Sequence, residues 1–403
     1  MSNQTKTHKP PERQIEQNQN ISTSTPFQSL KELSVPLYLS QRVLYKHEIL
    51  ICGGYEERAC YSYHTLKNEY KFICEYPSDV DLIGHCVVKL VDNNKDKNEI
   101  TLLSFGSSLL GESKHTLIMK YVSVWDNGNN NKMNKPKKLK KSNNCNEWTP
   151  FTDNHNNPIQ IGRDEDDYTG MCAVIGGRSN NLLFITHSPN NISVYDLNTF
   201  QFIKHDTLPT DDYIEHHCFV SKSENDEEMT KKNKKNNEML LFCKKTGLLI
   251  EYNEDSNTFQ FHQLPVCDNI APFFHYAYVC INDVILFFGG WNDIGWIVSK
   301  SVHKYSIQEN KWTTFQNTLP SPLEGCVAIL NEDDTYIHII GGQNDKNTTV
   351  LTHMKTKVRV WDPSQLSKNE IKFVTQYWIR NLKIKLGWID DFDKIIIRYS
   401  KKK

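Results

Sequence analysis

The 403-residue chain has almost no net charge, no closely paired cysteines, no nucleotide-binding glycine loop and no long apolar run. Lys plus Arg (47) nearly equals Asp plus Glu (48), so no global field steers it toward nucleic acid or anionic lipid, and a charged partner must be met by a local patch. None of the eleven cysteines forms a C-x-x-C pair, and Cys52, Cys86, Cys172, Cys218, Cys280 and Cys326 sit in apolar, strand-like runs, where they read as small buried hydrophobes. An odd cysteine count behind a polar, leaderless start predicts a reducing, cytoplasmic setting. No run is long enough to cross a bilayer. P-loop, G-x-G-x-x-G, H-E-x-x-H and an ordered Ser-His-Asp set are all missing, which leaves phosphoryl-transfer, dehydrogenase and hydrolase readings without residues.

What the chain does have is a recurring unit. Tyr276 opens YAYVCINDVILFFGGW, which runs on through Tyr305 and Asn310 to Trp312; the pattern restarts as GCVAILNEDDTYIHIIGG. Each half is two apolar runs around a polar turn, a β-hairpin closed by a glycine pair: Gly289-Gly290, then Gly341-Gly342, 52 residues on. A unit of this size that cannot bury both faces alone is the mark of a propeller or solenoid. Earlier copies carry Gly53-Gly54 with Tyr63, Asn68 and Tyr70; Gly106-Ser107 with Trp148; Tyr195, Asn198 and Phe200; and Tyr252, Asn257 and Phe259. In the third copy Gly176-Gly177 falls at the hairpin turn, and the spacing puts Thr186-His187 at the structural glycine positions.

The sixth copy lacks an aromatic-bearing last strand, whereas PFQSLKEL near the N-terminus looks like a last strand without a blade. If residues 25–33 complete that sheet, a ring of six four-stranded blades closes and no long edge is left unpaired. The organisation expected is a disordered low-complexity segment 1–24, a six-bladed all-β propeller over 25–364 with polar insertions 126–145 and 222–238, and an amphipathic helical tail 365–403 in which Val374, Trp378, Leu382 and Leu386 recur every fourth residue.

Gly-Gly, then Tyr, then Asn-x-Trp at these spacings resembles the kelch repeat, over roughly residues 25–362. The resemblance implies a propeller whose face loops bind another protein. Kelch-like propellers often act as ubiquitin-ligase substrate receptors, but the polar N-terminal segment is too short for the BTB domain those receptors carry.

Candidate chemistry is sparse. Glu215-His216-His217-Cys218 holds metal-capable side chains, but neighbours on a strand face opposite ways, so a strand start is the stronger reading. His275, Tyr276 and Tyr278 offer one half of the Tyr/His ligation used by copper-oxidase propellers, which the kelch family resembles, without a matching second half. The acidic run Asp164-Glu165-Asp166-Asp167 reads as a solvated loop. The basic run Lys135–Lys141 suits a nuclear address or a solvated insertion, and Lys372, Arg380, Lys383 and Lys385 beside the apolar tail stripe suit a partner groove or a membrane surface. The expectation is a non-enzymatic protein-binding scaffold or adaptor without cofactor or metal; the alternative is a metal-dependent oxidoreductase or small-molecule enzyme using the propeller mouth.

Overall fold

The computed structural model describes residues 25–91, 98–108, 111–125, 145–222, 236–364 and 368–385. They form six four-stranded antiparallel sheets arranged as the blades of a β-propeller. Blade 1 runs from Gln41–Tyr45 at the axis through Glu48–Gly54 and Glu57–His64 to Glu69–Glu75 at the rim. Blades 2 to 5 repeat the order from inner strands Cys86–Leu90, Asp167–Gly176, Cys218–Ser221 and Ala277–Ile281. In blade 5 a two-stranded finger, Trp291–Asn292 with Ile297–Val298, projects between the second and third strands.

Blade 6 takes three strands from Val327–Leu330, Tyr336–Ile340 and His353–Lys357, and its rim strand is Phe27–Ser29. Phe27 pairs with Thr356 and Ser29 with Met354, so the first and last described strands share one sheet, as the sequence deficits predict. Trp361, at the end of the short helix α1 (Val358–Trp361), fills the remaining gap: its ring centroid lies 5.5 Å from Phe27, 5.8 Å from Phe288 and 5.1 Å from Phe315.

The apolar core is not one body but six wedges, each shared by neighbouring blades. Alternation puts one face of each strand into each flanking wedge, which is why the second strands, such as Val284–Phe288, read as continuous apolar runs and are buried throughout. The conserved-looking Tyr of the repeat is a wedge residue: Tyr63, Tyr195, Tyr252 and Tyr305 are all buried on third strands. Tyr63, Tyr252 and Tyr305 donate to Asn68, Asn257 and Asn310 at 2.9, 2.8 and 2.9 Å, and those asparagines hold the left-handed turn before the rim strand.

Register corrects two details in blade 3. Cys172 pairs with Thr186 as Ala277 pairs with Phe288, so the glycine-pair positions are held by His187-Ser188, one residue later than the spacing suggests. The aromatic opposite Tyr195 is Phe202, not Phe200. Phe200 occupies the Asn position of the turn, at φ 58°, and leaves the buried Tyr195 hydroxyl without a partner. The expected insertions also shrink at their ends, because Cys145 bridges to Lys120 and a strand begins at Asn236. Segment 1–24, most of both insertions with Lys135–Lys141, and the tail beyond Lys385 lie outside the described residues. Helix α2 (Lys368–Lys385) contains Val374, Trp378 and Leu382, all exposed; polar contacts near its start are Arg359 to Glu370 (2.7 Å) and Asn369 to Asp333 (3.2 Å). No described helix is long and apolar enough to cross a membrane.

Closure gives the first prediction. Phe27→Ala removes a ring from the wedge shared by blades 5 and 6 and should cost about 3–5 kcal/mol in denaturant unfolding, whereas Phe72→Ala on an exposed rim strand should cost under about 1 kcal/mol.

Candidate functional site

Antiparallel order fixes two faces. Every inner strand starts, and every second-to-third-strand loop turns, on one face, called here the entry face; the other turns and α1 lie opposite. Two residues before the continuous ladder of each inner strand, which in blade 3 starts at Cys172 after a bulge, the backbone is left-handed in all six blades: Leu39, Gly84, Gly170, His216, His275 and Gly325, with φ between 44° and 65°. This bend turns the chain from the rim into the axis. Backbone N–H groups tie one blade to the preceding one: Leu39 donates to Gly325 O (2.9 Å), Gly325 to His275 O (2.8 Å) and His216 to Gly170 O (2.6 Å). The ring of bends frames the mouth of the axial channel.

The glycine pairs serve the same face. A Cβ on Gly289 would come within 2.1 Å of Leu323 O, and one on Gly341 within 2.4 Å of Leu37 O. These carbonyls belong to the incoming segment of the next blade, and they accept from Gly290 N and Gly342 N at 2.9 and 2.7 Å. Gly53, Gly54 and Gly106 occupy equivalent positions in blades 1 and 2. The rim aromatics reach back to the preceding blade. Trp312 donates to Pro265 O at 2.6 Å and packs on Phe242, Trp148 donates to Cys60 Sγ at 3.4 Å, and Tyr70 bonds His353 at 2.5 Å.

At two of the six bends the side chain is a histidine, and the two rings meet edge to face with centroids 4.3 Å apart. The His216 ring also lies against the glycine backbone of blades 2 and 3, so that a Cβ on Gly84 would meet its Cε1 at 2.4 Å and one on Gly170 its Nε2 at 2.7 Å. His275 Nδ1 stands 3.3 Å from the Tyr38 hydroxyl and 3.4 Å from a Glu324 carboxylate oxygen, while its Nε2 is buried without a partner. Burial governs the protonation of this cluster. It pushes His275 and His217 down to about 3 and His216 well below its usual value, and it raises Glu324 to about 7.

The metal-capable sequence motifs are therefore dispersed. His217 turns to Thr186 Oγ1 (2.6 Å), Cys218 enters its strand, and Tyr276 donates to Phe242 O (2.6 Å) in the neighbouring blade. Among the described residues no three His, Cys, Asp or Glu side chains converge as metal ligands. In the acidic run Asp166 is not solvated but buried, held by Arg163 at 2.7 Å and kept below the usual carboxylate range by that partner against the cost of burial. The sequence shows the shared small-residue strand start at Gly84, Gly170 and Gly325, but not that Leu39, His216 and His275 hold the equivalent position in the other three blades.

These features define the class: a six-bladed propeller in which each blade is locked to the next at the entry face. Residues 272–317, which span blade 5, match the family model for the kelch motif. A 113-residue stretch, 28% of this chain, is 30% identical to Alpha-scruin of Limulus polyphemus and covers 11% of that protein's length. A solved structure titled "Structure of YjhT" is similar in fold, with a TM-score of 0.52 at 12% identity over 80% of this chain and 95% of that one.

Two predictions follow from this geometry. The three atoms nearest a Cβ on Gly170 all belong to the His216 ring, at 2.7 to 3.0 Å, so the penalty of Gly170→Ala should fall by roughly 1–3 kcal/mol in a His216→Ala background; Gly84→Ala also strikes the Gly170 backbone at 2.5 Å and should gain little relief. Stability should also fall in acid. His85, His217 and His275 are pushed down to about 3, and His115, His303 and His338 to about 4. Between those values and the unfolded value near 6.5, unfolding takes up protons, so the stability they contribute is present above pH ~6.5 and lost as pH drops toward 4. Glu324 acts with the opposite sign between about 4.5 and 7, and burial raises Glu215 in the same direction, but these are two groups against six. Melting temperature should drop by more than about 5 °C from pH 7.5 to 5.0, with proton uptake on unfolding measurable by buffer-dependent calorimetry.

Proposed function

We propose that the protein is a non-enzymatic interaction scaffold that binds a protein partner through loops of the entry face, with α2 as a second contact on the opposite side. One observation carries this reading. The blade 5 finger is anchored at its base and apolar at its tip. Trp291 exchanges backbone hydrogen bonds with Phe274 (2.7 and 2.9 Å), and Asp293 is held by Lys244 at 2.6 Å. At the tip Ile294 is 90% and Trp296 76% exposed. Tyr55, Tyr213 and Leu351 are also exposed on entry-face loops. A large apolar side chain held out on a rigid base loses little entropy on docking, which is the profile of an interface anchor.

The chemistry of the mouth supports binding rather than turnover. Its histidines are neutral far above their lowered pKa values and its thiols are pushed up, with Cys172 at about 11, so neither is poised for proton transfer near neutrality. Glu324, at about 7, is the group that favours the second reading, a small-molecule enzyme at the mouth. All eleven cysteines are free thiols, in keeping with a cytoplasmic scaffold.

Affinity capture with the full-length protein supplies the partner, and binding is then measured on purified components. Ile294→Ala with Trp296→Ala should weaken it at least tenfold at unchanged melting temperature, while deletion of 365–403 should weaken it less. Unchanged affinity in the double variant removes the entry-face reading; turnover of a small molecule that Glu324→Gln abolishes would install the other.

A further inference from the structure

Below the mouth the channel carries a cation with no acidic counterpart beside it. Arg42 lies on the inner strand of blade 1 and spans to blades 5 and 6: its Nε donates to Ala328 O at 3.3 Å, its Nη2 to Tyr278 O at 3.4 Å, and its Cζ sits 5.1 Å over the Tyr278 ring. Those contacts engage one side of the guanidinium. Among the described residues Nη1 has no hydrogen-bond acceptor and no carboxylate forms an ion pair with Arg42. The groups around it are held neutral by burial, which lowers His217 and His275 and raises Cys172, Cys218 and Tyr278. The acidic residue lining the channel is Asp334, on the turn at its far end. Arg42 thus sets a positive potential in a channel of about 460 Å³.

A partly buried charge without a counter-ion is costly, and buried charges in proteins are ordinarily paired. A guanidinium presents a planar fork whose partner in shape and charge is a carboxylate or a phosphate. The volume suits a small molecule and not a peptide chain.

We propose that the axial channel is a binding site for a small oxyanion, the carboxylate of an organic acid or a phosphate group, seated on the free edge of Arg42. This site is separate from the entry-face finger and stands whether or not that finger docks a protein.

The full-length protein is titrated calorimetrically with sodium acetate, sodium malonate and sodium phosphate at matched ionic strength, with sodium chloride as control. Saturable binding of at least one of them, lost at least tenfold in folded Arg42→Gln, is the expected result; tighter acetate or malonate identifies a carboxylate site, tighter phosphate a phosphoryl site. No saturable binding, or equal binding in Arg42→Gln, overturns the proposal. Should Arg42→Gln fail to fold, the wild-type protein decides through Cys172, a partly exposed channel thiol. Iodoacetate alkylates a thiolate by forming a C–S bond as iodide leaves, and it is itself a small carboxylate. The expected result is that the tighter of the three anions slows iodoacetate labelling of Cys172, read by peptide mass spectrometry, at least threefold more than chloride does; protection no greater than chloride's is screening alone and overturns the site.

Discussion

Each hydrophobic wedge belongs to two blades, and so the whole ring depends on the strand pairing that supplies the last wedge. Phe27–Ser29 against Met354–Thr356 is a short ladder, three residue pairs, yet the segment that continues from it reaches further. Phe27 enters the wedge between blades 5 and 6, and Leu33 and Leu37 enter the wedge between blades 6 and 1. Leu37 O then accepts from Gly342, and Leu39 donates to Gly325. One stretch of about a dozen residues therefore closes the sheet, packs two wedges and locks the entry face. Loop-closure entropy for a contact between opposite ends of the chain grows only logarithmically with length, so the cost of this pairing is modest beside the two buried interfaces it completes.

The same logic explains why the fold was legible where it was. Glycine pairs, wedge tyrosines and turn asparagines recur because each answers a constraint that every blade meets: close approach of the next blade's carbonyl, a gap that widens toward the rim, and a left-handed residue before the rim strand. The missing rim strand of repeat six was legible for the opposite reason, since a deficit at one end matched a surplus at the other. Blade 3 misled by one residue at His187-Ser188 and by two at Phe202, because its own glycines sit in the first hairpin and Phe200 stands where blades 1, 4 and 5 place asparagine. Phe200 packs on Phe151 at 5.7 Å, a local contact that compensates for the bare Tyr195 hydroxyl and that no repeat pattern encodes.

The site was far less legible than the fold. His216 and His275 are separated by a whole repeat, and nothing in their local sequence marks them as partners. They meet because the six bends converge on one axis, and the His216 ring is tolerated because the bends against it, Gly84 and Gly170, are glycines. Histidine in a left-handed conformation is strained by about 1–2 kcal/mol, and here the ring of backbone hydrogen bonds over-determines it. Arg42 was hidden in the same way: in sequence it is an ordinary cation at the start of a strand, and only the ring places it among neutral groups on the axis.

Rigidity and neutrality together set what the molecule can do. In a ring whose described blades are hydrogen-bonded to one another at the entry face, a loop such as the Trp296 finger can present a preformed surface. A channel in which burial holds His217, His275, Cys172, Cys218 and Tyr278 uncharged gives the Arg42 guanidinium unusual influence, because among the described residues no carboxylate pairs with it. Under the two proposals the entry face and the channel would divide two tasks on one scaffold: apolar contact outside, and selection by charge within.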